Sequence, residues 1–312
     1  MRDTPQCFHK PRRWCVSSFS RLSSRCAVKI VLISTSDVDA GRNEELGRML
    51  RSVEAAAEAM RPHVSIKLLL LLQKCPEYRY WTVSKTLPDF VQAIPSTETL
   101  SLSAARNLLL AFASSNGMID SRTVVGFPDD DCWYPPGTLE LVARCFAQAP
   151  RLGLWFCRYS SQPTPAATVK RAMRVASPRD VIREASSNTM FVRGRVLREG
   201  MVFDETLGVG TANGGGEDTE FALRAYLSSG SALYLPAPAV GHRDKSPQLR
   251  PKYYRGGLIA LARHARRQPR IEFELARKLA VGLYLVGTRQ LPAAAFRTAV
   301  AAALRSRRPA AA

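Results

Sequence analysis

VVGFPDDDCWYPPGTL, residues 124–139, runs an apolar segment of strand character straight into three consecutive aspartates, Asp129, Asp130 and Asp131. Two aromatics, a Pro-Pro pair and a glycine follow. Adjacent like charges disfavour one another's ionisation, so something must neutralise them. Clustered carboxylates at a strand end have two ordinary resolutions: a solvated turn, or a divalent cation. A hard cation such as Mn2+ or Mg2+ takes one or two carboxylates together with phosphate oxygens. If extended geometry continues through the triplet, Asp129 and Asp131 project to one side and Asp130 to the other. One pair is then available to a cation and one carboxylate to a separate contact.

Working outward, the first half of the chain alternates strand and helix. Val28–Ser34 is a β-branched run of strand length. Asn43–Met60 carries Leu46, Leu50, Val53 and Ala57 at helical spacing. Val64–Leu72 reads as a second buried strand, and residues 73–100 as loop with a short strand at Phe90–Ile94. Leu102–Ser114 reads as a helix capped at Ser101 or Ser103, Thr123–Phe127 as the strand delivering the aspartates, and Pro136–Gln148 as the next helix. This alternation predicts an α/β, doubly wound, mostly parallel sheet. Ligands bind such sheets at the carboxyl ends of the strands, so Ser34–Asp37 and Asp129–Asp131 should face one crevice. Further on, Leu152–Tyr159, Thr189–Arg193 and Ala232–Leu235 read as strands, the last followed by a Pro-interrupted loop. Gly208–Gly216 is a glycine-rich loop, and Glu217–Leu227 reads as a helix. From Lys252 onward the chain is basic and helical, giving three segments: a basic, disordered leader (1–27), a catalytic domain (28–250) and a basic helical extension (251–312).

The 312 residues carry a net charge of +19, but its distribution argues against a nucleic-acid-binding protein. Residues 1–29 hold seven Lys/Arg and one acid, and residues 241–312 hold sixteen and three. Residues 30–240 are left with 22 of each sign, so the predicted catalytic segment is neutral overall. Basic ends suit an anionic membrane surface at least as well. No apolar run is long enough for a transmembrane helix. The leader lacks the apolar segment of a secretory signal. Seven cysteines without a C-x-x-C pair read as reduced thiols in a cytoplasmic protein, with no zinc site.

Four stretches, in order, resemble the family-2 glycosyltransferases of GT-A fold: VLISTSDVD (31–39), LSAARNLLLA (102–111), FPDDDCWYPPGTLE (127–140) and NGGGEDTEFALRA (213–225). The resemblance covers about residues 28–265 and implies an inverting, metal-dependent transfer of sugar from a nucleotide-diphospho-sugar. It implies Mn2+ or Mg2+ on Asp129 and Asp131, with Asp129 and Asp130 also serving the donor. Ser34, Thr35 and Asp37 would meet base and ribose, although an Asx-turn also accounts for Asp37. Arg106 and Asn107 would face the donor; otherwise they are a snorkelling Arg and a surface Asn on a helix. Asp218 is the implied general base, with Glu217 beside it the second catalytic candidate, at a helix start where N–H groups favour carboxylates; otherwise the pair is ordinary charge at a helix N-terminus. Glu220 reads either as part of that site or as a solvated helix residue. His242 is a third candidate metal ligand or phosphate contact, and Arg243 and Lys245 are candidates for the diphosphate. Trp133 and Tyr134 either stack on an acceptor sugar or anchor the loop beneath the metal. The family's acidic cluster after the second strand is missing, since SIKLLLLLQ (65–73) ends in Gln73-Lys74.

The segment 252–267, KYYRGGLIALARHARR, sets an apolar face beside Arg263, Arg266 and Arg267, and Ala276–Leu285 continues with an apolar face. It reads either as a helix packed on the catalytic domain or as an interfacial helix on anionic lipid. The latter suits a polyprenyl-linked acceptor at the cytoplasmic membrane face. A nucleotidyltransferase on a related sheet is the competing enzyme class. It usually needs a glycine-rich loop with a basic residue directly after the first strand, where STSDVDAGRNEE (34–45) offers only Arg42.

Overall fold

The computed structural model describes residues 28–197, 200–244 and 250–307; the leader and Lys245 lie outside the described residues. The first half follows the expected alternation: β1 (Val28–Asp37), α1 (Asn43–Ala59), β2 (Val64–Gln73), α2 (Glu77–Ser84), β3 (Val91–Pro95), α3 (Leu102–Ser115), β4 (Val124–Gly126) and α4 (Thr138–Gln148). Glu44 and Glu45 sit in the first turn of α1, where the helix dipole favours them. Ser101 caps α3 by accepting from Ala104 N. The second half contains β5 (Leu152–Ser160), β6 (Arg174–Val175), α5 (Pro178–Glu184), β7 (Met190–Arg193), α6 (Gly194–Leu197), α7 (Glu217–Ser228) and β8 (Ser231–Gly241). Three helices follow, α8 (Arg250–His264), α9 (Pro269–Gly287) and α10 (Ala293–Ser306).

The eight strands form one sheet in the order β3-β2-β1-β4-β7-β5-β8-β6. Pairings β1–β2, β1–β4, β2–β3 and β5–β8 are parallel, and β7 runs antiparallel to both β4 and β5. Strand order reverses between β1 and β4, which places the crevice there. Alternation along β1 serves two cores. Ile30 and Leu32 face α1 and α4, whereas Val31 and Ile33 face α3, α5 and α7. Because both faces are covered, the inner strands read as continuous apolar runs.

Three local departures have identifiable causes. Helix α2 lies in the expected loop, and none of its residues is buried, so no apolar period marks it in the sequence. Strand β8 continues through Pro236 and Pro238 to Gly241 instead of stopping at Leu235. Its β6 neighbour pairs only with Leu233 and Tyr234, and its register with β5 shifts beyond Phe156, so both prolines fall where a ladder N–H is dispensable. Strand β4 ends at Gly126, and extended geometry does not reach the aspartates. Pro128 lacks an N–H, and Cys132 N donates to Asp129 O, closing a turn.

Helix α8 packs on the α/β layers, and Leu258, Leu261 and Ala262 join the core beneath α3, α5 and α7. Its glycines explain the docking. A Cβ on Gly256 would lie 1.6 Å from Gly215 O, and one on Gly216 would lie 2.4 Å from Gly256 O. Gly216 also has φ +95°, a conformation that favours glycine. The glycine-rich loop and the Gly256-Gly257 pair thus meet backbone to backbone. Gly256→Ala should lower stability by about 1–3 kcal/mol, the usual penalty for forced overpacking, measured as a fall in the urea midpoint at unchanged slope. An unchanged midpoint would contradict this contact.

Candidate active site

The turn after β4 and the end of β8 bring Asp129, Asp131 and His242 together. His242 Nε2 lies 3.1 Å from Asp131 Oδ1 and 3.6 Å from Asp129 Oδ2. These ligand-capable atoms all fall within 4.8 Å of one another. His242 Nδ1 is 2.8 Å from Arg243 O, an acceptor, so Nδ1 carries the proton. A neutral imidazole then aims its Nε2 lone pair at a carboxylate. Asp131 Oδ1 and His242 Nε2 are both buried without a hydrogen-bond partner. Either a second proton or a cation resolves that opposition. Burial works against the proton, but the facing Asp131 and Asp129 outweigh it and hold the imidazole above its usual pKa. For Asp131, burial is likewise outweighed by His242, which keeps the carboxyl below its usual value. Two carboxylate oxygens and one imidazole nitrogen, with Asp131 Oδ1 and His242 Nε2 orphaned among them, form a donor set that can hold a divalent metal ion.

Asp129 is tied to the rest of the site by Arg106 on α3. Its guanidinium is 1% exposed and donates to Asp129 Oδ1 at 2.8 Å, Asp218 Oδ1 at 3.3 Å and Ser187 Oγ at 2.8 Å. Burial still holds the Asp129 carboxyl above its usual pKa, against the pull of Arg106. Asp218 Oδ2 also accepts from Ser187 N at 2.9 Å and Ser186 Oγ at 3.0 Å. With Ser187 Oγ also donating to Oδ2 at 3.2 Å, the base candidate is oriented by four donor groups. Ser186 and Ser187 were not singled out from the sequence. Their only signal is a run of small polar residues, SSNT (186–189), directly before β7. Glu217 is buried behind Asp218, and burial followed by repulsion from Asp218 pushes its carboxyl up to about 7.

Other expected residues are placed as follows. Asp130 is buried and faces away from the cluster, accepting from Ser36 Oγ at 2.7 Å and pairing with Arg42 at 3.0 Å. The division between Asp130 and the Asp129/Asp131 pair thus holds, produced by a turn rather than by strand alternation. Asp37 pairs with Lys74 at 2.6 Å and also accepts from Asp39 N, the Asx-turn contact. Gln73 links Thr35 to Leu100 N, a structural use of the position where the acidic cluster is missing. Ser34 Oγ is buried without a partner.

Asn107 is not brought to the aspartates. Its amide binds Phe203 N and O and Glu205, clamping the 203–205 segment. Tyr134 is 4% exposed with its ring tilted against Phe191, so it cannot offer an acceptor surface. Trp133 lies under Arg48 at 3.7 Å and bridges Gly241 through its backbone. Each ring thus already has an intramolecular partner. Glu220 is not a solvated residue: it is buried between Arg224 and His264 because α8 packs over α7. Arg243 reaches Asp131 Oδ2 at 3.4 Å.

No family model and no curated relative matches the sequence. Among solved structures, the chain is similar to the mannosyltransferase PcManGT from Pyrobaculum calidifontis, solved with GDP-Man and Mn2+. Identity is 14%, TM-score 0.55, and the match covers 89% of this chain and 76% of that one. It is also similar to TarS of S. aureus at 14% identity and TM-score 0.52, covering 90% of this chain and 54% of TarS, about half its length. Likeness at this identity shows the fold, which is that of the GT-A glycosyltransferases.

Two outcomes test this electrostatic arrangement. Arg106→Met should cost about 3 kcal/mol, since it strands two part-buried carboxylates, and an unchanged urea midpoint would contradict its role. Glu217 has a folded pKa raised above its unfolded value, so the folded state binds the extra proton. Stability should therefore fall between about pH 4.5 and 7, by up to about 3 kcal/mol, and Glu217→Gln should remove that share of the decline.

Proposed function

We propose that the chain is an inverting, metal-dependent glycosyltransferase of family-2 type. It moves a sugar, of hexosyl type, from a nucleotide-diphospho-sugar to a saccharide or polyprenyl-linked acceptor in cell-surface polysaccharide or glycolipid synthesis. Its place is the cytoplasm, peripheral at the cytoplasmic membrane face. The observation that carries the reading is the Asp129/Asp131/His242 cluster beside an Arg106-held Asp218, at the strand-order reversal of a GT-A sheet.

In this reading Asp129, Asp131 and His242 hold Mn2+ or Mg2+, as Mn2+ accompanies the donor in the PcManGT structure. The ion supplies charge neutralisation for the departing nucleoside diphosphate. The protein's own residues do the rest. Ser34, Thr35, Asp37 and Asp130 line the donor side at the end of β1, and Arg243 sits at its rim. Arg106 keeps Asp129 and Asp218 apart in charge and fixed in direction. Asp218, a quarter exposed, takes the acceptor hydroxyl proton on the face opposite the leaving group. Ser186 and Ser187 orient its carboxylate, and Glu217 behind it is held toward its neutral form by burial and by Asp218. A nucleotidyltransferase is less well supported, because β1 runs to Asp37 and Arg42 is engaged by Asp130.

The deciding experiment incubates the protein with Mn2+ or Mg2+, an acceptor panel and UDP-, GDP- and dTDP-sugars, and measures nucleoside diphosphate release. EDTA-sensitive turnover with one donor class is expected. Asp218→Asn should lower turnover at least about 100-fold while donor binding persists. Turnover indifferent to EDTA, or a variant that loses donor binding too, would contradict the assignment.

A further inference from the structure

Helix α9 is apolar on two opposite faces. One face packs inward through Ile271, Leu275, Gly282 and Leu285. On the other, Phe273, Ala276, Ala280, Leu283, Tyr284 and Gly287 recur at the three- and four-residue spacing of one helical stripe, and all are exposed. Phe273 is 65% exposed, Leu283 61% and Tyr284 66%. Single exposed apolar residues are ordinary, but a continuous stripe of large ones marks a contact surface.

The charges around the stripe say what covers it. Arg266, Arg267 and Arg270 are exposed at its start and Arg289 at its end, and none makes a salt bridge with a described residue. A groove of about 410 Å³ beside Phe273 is walled by Pro269, Phe273 and Arg270, with Arg179 at its edge paired to Glu274 at 3.7 Å, so Arg270 is the arginine there without an ion-pair partner among the described residues. Apolar side chains in a line, framed by uncompensated arginines, match an interface of acyl chains below anionic headgroups.

The geometry points to α9 as an interfacial element that seats the protein on an anionic bilayer, with Phe273, Leu283 and Tyr284 in the acyl boundary. Of the two readings open for the 252–267 segment, α8 takes the packed one. Its apolar face is spent on the core, and Arg263 is paired with Asp204, leaving Arg266 and Arg267 as the basic contribution from that segment. The inference rests on the proposed activity only for its consequence, that the acceptor is presented at a lipid surface.

Vesicle flotation of the full chain tests it, with phosphatidylcholine alone and with phosphatidylcholine mixed with phosphatidylglycerol. Neither donor nor acceptor is present, so failure here is separable from failure of EDTA-sensitive turnover on a soluble acceptor. The wild type should float with the anionic vesicles and not with the neutral ones. The triple variant F273E/L283E/Y284E, and separately R266E/R267E/R270E, should each lower binding at least about tenfold, with circular dichroism and soluble-acceptor turnover retained. If the triple variant misfolds, Y284S and L283S, each a surface change, should still weaken binding. Absence of wild-type binding would overturn the inference. So would undiminished binding by the apolar variants, which would leave the basic tails responsible. A wild-type dimer that ignores vesicles and dissociates on F273E/L283E/Y284E would assign the stripe to a second copy instead.

Discussion

One buried guanidinium holds the candidate site together. Arg106 stands on α3 with 1% of its surface exposed and bonds to carboxylates that arrive from two distant parts of the chain, Asp129 after β4 and Asp218 at the start of α7. A buried cation needs such partners, and clustered carboxylates need such a cation. The charges nevertheless do not cancel. Asp131 faces His242 across 3.1 Å with two polar atoms left unpartnered, which is the opening for a divalent ion. Aspartates that look like an electrostatic fault in the sequence are thus shared out. Arg42 and Ser36 take Asp130, Arg106 takes one oxygen of Asp129, and the rest converge on His242.

Much of this was legible beforehand, for physical reasons. Strands buried on both faces give uninterrupted apolar runs, so β1, β2 and β5 announce themselves, and α1 shows through its apolar spacing. The motifs singled out Arg106, Asp129, Asp131, Asp218 and His242, and the structure brings these five into one constellation. What stayed hidden depends on tertiary partners. Nothing local distinguishes Ser186 and Ser187 from any polar turn until α7 approaches. Asn107 sits in the same motif as Arg106, yet a helix turns adjacent residues by about 100°, so one meets the aspartates and the other the 203–205 segment. The burial of Tyr134 against Phe191 likewise depends on tertiary packing that its sequence neighbours do not show. Pro128 carried the warning that strand geometry would not reach Asp131.

The C-terminal helices complete the site rather than merely following it. Gly215-Gly216 and Gly256 approach so closely that a Cβ on Gly216 would collide with the backbone of Gly256, and one on Gly256 with that of Gly215. Buried Glu220 pairs with His264 across the same contact. The loop that leads into Asp218 is therefore backed by α8, and α8 in turn carries α9 with its exposed apolar stripe. The candidate site and the basic end of the chain, separate in the sequence, share one support.

Anomalous scattering at the manganese edge, from crystals grown with Mn2+ and a nucleoside diphosphate, tests the shared-ion account most directly. A peak within about 2.0–2.3 Å of an oxygen of Asp129, an oxygen of Asp131 and His242 Nε2 is the expected result, absent in His242→Ala crystals. No peak at that position, or one held by other residues while His242 Nε2 still faces a bare Asp131, would contradict it.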